Sequence, residues 1–327
     1  MAPNYNRAKE IYDYVKKTNY DVAAKYYGIS KETIKRSCRE FRRLDNDIDI
    51  NVKDKKSVIT KKSLLKSIEE KYSNSELQSI ANGARISNDK PEVPKVSFKG
   101  ENYKFGYMTD LHCGSIFFIE DWFNAAISEM KKQKVNSVMI SGDITEGMNN
   151  RPGHIYELNK IGYEAQREYA VNLFKKIDSV PLYFIDGNHD RWFIKSNGAL
   201  IVKDICKELT NGHYLGHDVG EVLINGCKIM LWHGEDGSSY ATSYRVQKIV
   251  ESISGGEKPN VLLCGHTHKQ INMFERNIHC FSGGCLQRQS SWMRGKRLPA
   301  HCGYWIITLT INNSCVVKIS STWYPFY

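Results

Sequence analysis

Seven side chains able to ligate metal fall in five short blocks of this chain: Asp110 and His112, Asp143, Asn188, His233, and His266 with His268. They comprise two carboxylates, one carboxamide and four imidazoles. A mixed N/O set of this kind suits divalent transition ions and needs no thiolate. Two such ions about 3.5–4 Å apart lower the pKa of water from 15.7 toward about 7 and orient it for displacement at phosphorus. His189 follows Asn188 as one further imidazole. Glu146, three residues beyond Asp143, and Asp190, next to His189, complete the ionisable group. The inventory points to hydrolysis of a phosphate ester.

Residues drawn from five places meet only if a scaffold ends several strands at one edge. From residue 96 the pattern alternates strands and helices, with strands expected at 96–98, 103–108, 137–140, 180–185, 228–232 and 261–264. Helices are expected at 122–132 and 162–177. Each block follows an apolar strand, where layered α/β folds keep their active-site loops. Gly142, Gly187 and Gly265 precede ligand positions and fit tight turns that swing the next residue inward.

In order and type, the blocks D-x-H, G-D, G-N-H-D, a lone H and G-H-x-H resemble the calcineurin-like metallophosphoesterase superfamily. The resemblance covers most of the chain beyond residue 96. It implies an α/β fold, a four-layer sandwich of two mixed sheets flanked by helices. It also implies two divalent ions, manganese foremost, with iron, zinc, nickel or cobalt compatible. Asp110, His112, Asp143 and His268 would hold the first, and Asp143 would bridge to a second completed by Asn188, His233 and His266. By the same resemblance, His189 is catalytic rather than a ligand. It would be oriented by Glu146, which stands where an Asp is commoner, and Asp190 could accept a hydrogen bond from a ligating imidazole.

Protein phosphatases of that superfamily carry G-D-x-x-D-R-G and G-N-H-E. Gly142-Asp143-Ile144-Thr145-Glu146-Gly147 lacks the arginine and the third block ends in Asp190, which disfavours that class. The stretch from Gly142 to His154 looks locally similar to the exonuclease small subunit of archaeal D-family polymerases and to phage-type phosphoesterases.

The first 44 residues read differently. They hold 11 Lys and Arg against 5 Asp and Glu, within a chain whose net charge is +10, so the basic excess is local. Ala8, Ile11, Tyr14 and Val15 mark one amphipathic helix. Asn19 or Asp21 can cap a second, Gly28 breaks it, and Ser30 can cap a third. Ala24 is expected at the close helix approach. Residues 22–36 resemble the helix-turn-helix of phage and bacterial DNA-binding proteins. That places Lys31, Glu32, Thr33, Lys35 and Arg36 toward a major groove, with Arg39 among the cations left for phosphates. Domains are therefore expected at 1–44 (helix-turn-helix), 45–95 (a linker with short helices near 64–68 and 73–84) and 96–327 (metallophosphoesterase).

Nine scattered cysteines without a C-x-x-C pair argue against a disulfide framework. No apolar leader or membrane span is evident, so the expected location is the cytoplasm, that of a bacterial host if the chain is phage-derived. The favoured reading is a metal-dependent DNA nuclease or DNA-processing phosphodiesterase, with nucleic acid as partner. Arg151, His154, Arg191, Lys195, Arg288, Arg294, Lys296 and Arg297 are candidates to track a strand, with Trp192, Tyr240 and Trp292 available for stacking. Two alternatives stay open: a phosphodiesterase of cyclic or dinucleotide substrates, and a DNA-binding regulator with a metal-binding core.

Overall fold

The computed structural model describes residues 5–53, 68, 72–74, 77, 93–235, 237, 239 and 241–327, with backbone alone at 5 and 43–53. The chain divides into two compact units, Met1–Asn88 and Asp89–Tyr327.

In the first unit, α1 (Tyr5–Lys17), α2 (Tyr20–Tyr27) and α3 (Lys31–Lys53) follow one another closely. Asn19 supplies the cap, its Oδ1 accepting from the Asp21 and Val22 amides at 3.0 and 2.9 Å. Gly28 stops α2 at φ 67°, a left-handed turn that glycine adopts without a Cβ penalty. Ser30 Oγ then accepts from the Thr33 amide at 3.2 Å. Ile11, Ala23, Ile34 and Cys38 form the buried centre. Ala23 is fully buried there, and Ala24, expected at the close approach, packs against the same centre while partly buried. Helix α3 runs past the expected boundary at 44, because no Gly or Pro between Ser30 and Lys53 interrupts it. The short helices expected in the linker fall largely outside the described residues.

The second unit begins with β1 (Lys95–Val96), β2 (Asn102–Met108), α4 (Glu120–Lys132), β3 (Ser137–Ser141), α5 (Tyr163–Phe174), β4 (Leu182–Asp186), α6 (Trp192–Asn197) and α7 (Ile201–Glu208). It continues with β5 (Gly212–His217), β6 (Val219–Ile224), β7 (Cys227–Trp232), α8 (Tyr244–Ser252), β8 (Val261–Cys264), β9 (Gln270–Glu275) and β10 (Ile278–Gly283). Helix α9 (Ser291–Gly295), β11 (Gly303–Asn312) and β12 (Cys315–Pro325) complete it. Two six-stranded mixed sheets result, ordered β12-β11-β2-β3-β4-β5 and β1-β6-β7-β8-β10-β9.

Period-two alternation builds the layers. Tyr103, Phe105, Tyr107 and Met139 of the first sheet meet Ile229, Leu231, Val261 and Leu263 of the second between the sheets. The opposite face of the first sheet, with Val138, Ile140 and Phe184, packs on Phe123, Met130, Ala170 and Phe174 of α4 and α5. On the second sheet, Met230 and Leu262 pack on Val246, Ile249 and Val250 of α8. Gly106 admits Met130 closely; a Cβ there would sit 2.4 Å from its sulfur. All nine cysteines are unbridged. Among the described residues no helix is long and apolar enough to cross a membrane.

Candidate metal centre

The carboxyl ends of β2, β3, β4, β7 and β8 lead into the loops that hold Asp110/His112, Asp143, Asn188, His233 and His266/His268. The backbone bends sharply there. Asp110, His112, Asp143, His266 and His268 all take positive φ, between 48° and 71°. Asp and His tolerate this region better than branched residues do, at a cost of about 1–3 kcal/mol each. The glycines act in two ways. Gly142 has φ 88° and so fits the turn expected of it. Gly187 and Gly265 instead leave room: a Cβ on Gly187 would lie 2.1 Å from Asp143 Oδ1, and one on Gly265 2.5 Å from the Ser141 carbonyl oxygen.

The donor atoms converge. Asp110, His112 and His268 form one group and Asp143, His233 and His266 another, each within 4.8 Å internally. His112 Nε2 and His268 Nε2 face each other at 3.2 Å, and His268 Nε2 lies 3.2 Å from Asp110 Oδ1. Asp143 Oδ2 is 3.2 Å from His233 Nε2 and 3.8 Å from His112 Nε2, so it stands between the groups. Asn188 Oδ1 is 3.1 Å from His233 Nε2 and 2.8 Å from His266 Nδ1. His189 also shares a ligand-distance group with His112 and Asp143.

Partners outside these groups fix the rings. His233 Nδ1–H donates to the Ser141 carbonyl at 2.6 Å, which leaves its Nε2 facing the Asp143 and Asn188 oxygens. That position suits a positive charge, either a metal ion or a proton on Nε2. On the other side, Glu146 Oε2 lies 2.9 Å from His112 Nδ1. Asp110 is held by Thr109 Oγ1 at 2.8 Å and by the His266 amide at 3.0 Å. The carboxylates govern protonation. Burial opposes the charged form of His233, but Asp143 and Asp110 outweigh it and raise its pKa to about 10. His189, also buried, is raised to about 9 by Asp143 and Glu146. The donor chemistry therefore fits two divalent ions with N/O ligands.

Three expected roles are broader or different in the structure. Glu146 meets His112 and His154 as well as His189. Its Oε1 accepts from His154 Nε2–H at 3.0 Å, whereas His189 Nδ1 lies 3.5 Å from that oxygen and donates to the Glu146 carbonyl at 2.9 Å. Asp190 reaches no ligating imidazole. It accepts from the Gly187, Ile144 and Thr145 amides and from the Thr145 hydroxyl at 2.8–3.2 Å, lashing the β3 loop to the β4 loop. Burial, reinforced by Asp143 and Asp186, pushes its pKa up to about 7. His154, read as a strand contact, is buried beneath Glu146, with its Nδ1 accepting from the Asn149 amide at 3.2 Å.

An open cleft of about 920 Å³ lies over the centre, lined in part by Trp192, Trp292, Lys296 and Arg297. Of the other expected strand contacts, Arg191 is engaged by Asp218 and Glu235, Lys195 reaches Glu235, and Arg151 pairs with Glu157. Arg288 sits 5.7 Å over the Trp122 ring and Arg294 is exposed. Trp192 packs on His189 with ring centroids 4.0 Å apart, while Trp292 remains 47% exposed. Tyr240 lies outside the described residues. Two residues were missed in the sequence. Gln166 joins α5 to the β3 loop through the Gly147 amide and carbonyl at 2.8 and 3.0 Å, and Lys269 lines the cleft.

Distant similarities accompany this geometry. The DNA polymerase II small subunit of Methanothermobacter thermautotrophicus (strain Delta H) is 23% identical over 258 residues, 65% of this chain and 53% of that protein. That of Archaeoglobus fulgidus is 24% identical over 250 residues, 62% and 51% of the two chains. The chain thus spans about half the length of these curated relatives. A solved structure described as a novel archaeal phosphodiesterase aligns at TM-score 0.42 and 14% identity, over 68% of this chain and 99% of its own. The sequence profile of the calcineurin-like phosphoesterase superfamily domain matches residues 103–296, well over half the chain, and the protein belongs to that superfamily.

Proposed function

We propose that this chain is a metal-dependent phosphodiesterase that acts on nucleic acid, most simply as a DNA nuclease. The observation that carries this reading is the gathering of seven N/O donors into two groups with Asp143 between them, and with His189 lining the same cleft. Asp110, His112, Asp143 and His268 would hold one divalent ion, and Asp143, Asn188, His233 and His266 a second. Such ions, manganese foremost, supply Lewis acidity and activate water near neutral pH. The protein does the rest. Asp143 keeps both halves in register, and its Oδ1 accepts from the His189 amide at 2.8 Å. His189, steadied by the Glu146 carbonyl and Trp192, is placed to protonate a leaving oxygen.

Relatives named as DNA polymerase subunits and a basic helical unit favour nucleic acid over a small diester. On α3, Thr33, Arg36 and Arg39 are exposed. Lys31 and Lys35 pair at 2.7 Å with Asp21 and Glu32; such exposed pairs are weak enough to exchange for phosphates. The test is cleavage of end-labelled single- and double-stranded DNA with Mn²⁺, comparing the intact chain with Asp143→Asn, His189→Ala and a combined Arg36→Glu/Arg39→Glu variant. Expected is cleavage lost in the first two and weakened in the third. Hydrolysis of bis-p-nitrophenyl phosphate without DNA cleavage would move the substrate to small diesters. Metal-independent DNA binding without turnover on either substrate would favour a regulator.

A further inference from the structure

Lys269 follows His268 directly and is only 8% exposed. Its Nζ donates to the Ser239 carbonyl at 2.9 Å, and it pairs with no carboxylate among the described residues. Lys296 and Arg297 line the same cleft, whose carboxylates are Asp143 and Glu146 of the metal centre and Glu157 and Glu235, each engaged by an arginine. His301 is tied to the same turn: its amide donates to the His268 carbonyl at 2.9 Å, and its Nδ1 accepts from the Gln270 amide at 3.0 Å. That leaves His301 Nε2–H as a further donor at the cleft wall. A buried ammonium that meets a carbonyl and, among the described residues, no carboxylate is costly, and an apolar side chain would fill the space more cheaply. Its retention makes sense if an anion arrives from outside.

We infer that Lys269, with His301 and the Lys296–Arg297 edge, forms an anion subsite beside the metal centre for a second phosphate of the substrate. The ligand class is a diester carrying another phosphate along the same strand, as successive nucleotides of a polynucleotide do. This rests on the phosphodiesterase reading above and narrows it. Lys269 contributes binding, by meeting a phosphate one linkage away from the one cleaved.

The experiment compares the intact Mn-loaded protein with Lys269→Gln and Lys269→Arg on two substrates. Thymidine 5′-p-nitrophenyl phosphate carries one phosphate; pentathymidylate carries several. Expected for Lys269→Gln is a roughly tenfold fall in the ratio of kcat/KM on pentathymidylate to that on the ester, expressed mainly in KM, with Lys269→Arg restoring most of it. Equal losses on both substrates, or a Lys269→Arg variant as poor as Lys269→Gln, would assign Lys269 a structural role and overturn the subsite. In a second arm, fluorescein-labelled pentathymidylate is bound in Ca²⁺ at several salt concentrations. Lys269→Gln should weaken binding and lower the slope of log K against log salt by about 0.7. Unchanged binding overturns the subsite even if hydrolysis is robust. Binding weakened by Lys269→Gln, with a wild-type protein that hydrolyses neither substrate, keeps the subsite and removes the phosphodiesterase reading instead. Thymidine 5′-triphosphate is the competitor: displacement of pentathymidylate from wild type but not from Lys269→Gln supports a shared phosphate site. Binding of the triphosphate alone would overturn the strand assignment. Thermal melting of both variants checks that they fold.

Discussion

The two halves of the metal centre are held by different means. On the His112 side, ring orientation comes from side chains: Glu146 lies against His112 Nδ1, and His154 fixes Glu146 from the far side. On the His233 side it comes from backbone, the Ser141 carbonyl receiving Nδ1–H. Asp143 joins the halves. The difference teaches where substitution can act. Side-chain support can be removed by a single codon and can be tuned by neighbours. A carbonyl at the end of a buried strand persists whatever residue supplies it.

The largest effect belongs to the shared residue. Asp143→Asn should abolish Mn-dependent diester hydrolysis and disturb both sites in calorimetric Mn titration, a loss beyond the roughly 10–100-fold that outer-sphere partners are worth. If only one site weakened, the two halves would not share this carboxylate. Gly187→Ala should come next, because its Cβ would lie 2.1 Å from Asp143 Oδ1 and must push the carboxylate aside. Activity should fall by about tenfold or more, in line with that 10–100-fold range, with circular dichroism retained; wild-type rates would show that the turn relaxes freely. His154→Phe should weaken one Mn site by roughly tenfold and spare the other, and His154→Gln, which keeps a donor, should recover part of it. Equal weakening of both sites would dissolve the asymmetry. Ser141→Ala should be the mildest. It removes the hydroxyl bond to the Leu263 carbonyl at 3.2 Å but leaves the carbonyl that orients His233. A stability loss of about 1 kcal/mol in urea unfolding is expected, with Mn affinity preserved.

The blocks were legible because each pairs a distinctive residue type with the end of an apolar strand. Asp110, Asp143, Asn188 and His266 all follow β2, β3, β4 or β8 closely, and their spacing is local information. Their supports are not. His154 and Lys269 take their meaning from Glu146 and from Ser239, and no spacing rule brings those partners together. Asp190 shows the limit from the other side: it was expected to accept from a ligating imidazole, whereas its carboxylate turns back to three amides. Gly187 and Gly265 were read for turn geometry, yet what they provide is clearance. Strands β5, β6 and β9–β12 went unread because one face of several is exposed; β12, with Lys318 and Ser320 outward, alternates too weakly to stand apart from loop sequence. Helix α3 runs beyond the domain boundary expected at 44, where the apolar periodicity fades but no Gly or Pro breaks the helix before Lys53.

The Asp110 carboxylate accepts the amide of His266, a residue 156 positions later in the chain. Synthesis proceeds from the amino terminus at roughly 5–20 residues per second, so the earliest block waits on the order of ten seconds for its last partner to be made. During that interval the chain holds Asp110, His112, Asp143 and Asn188 without the imidazoles that complete either group. A nascent chain arrested before residue 266 should therefore bind Mn²⁺ poorly, and metal capture would mark the completion of the domain rather than guide its beginning.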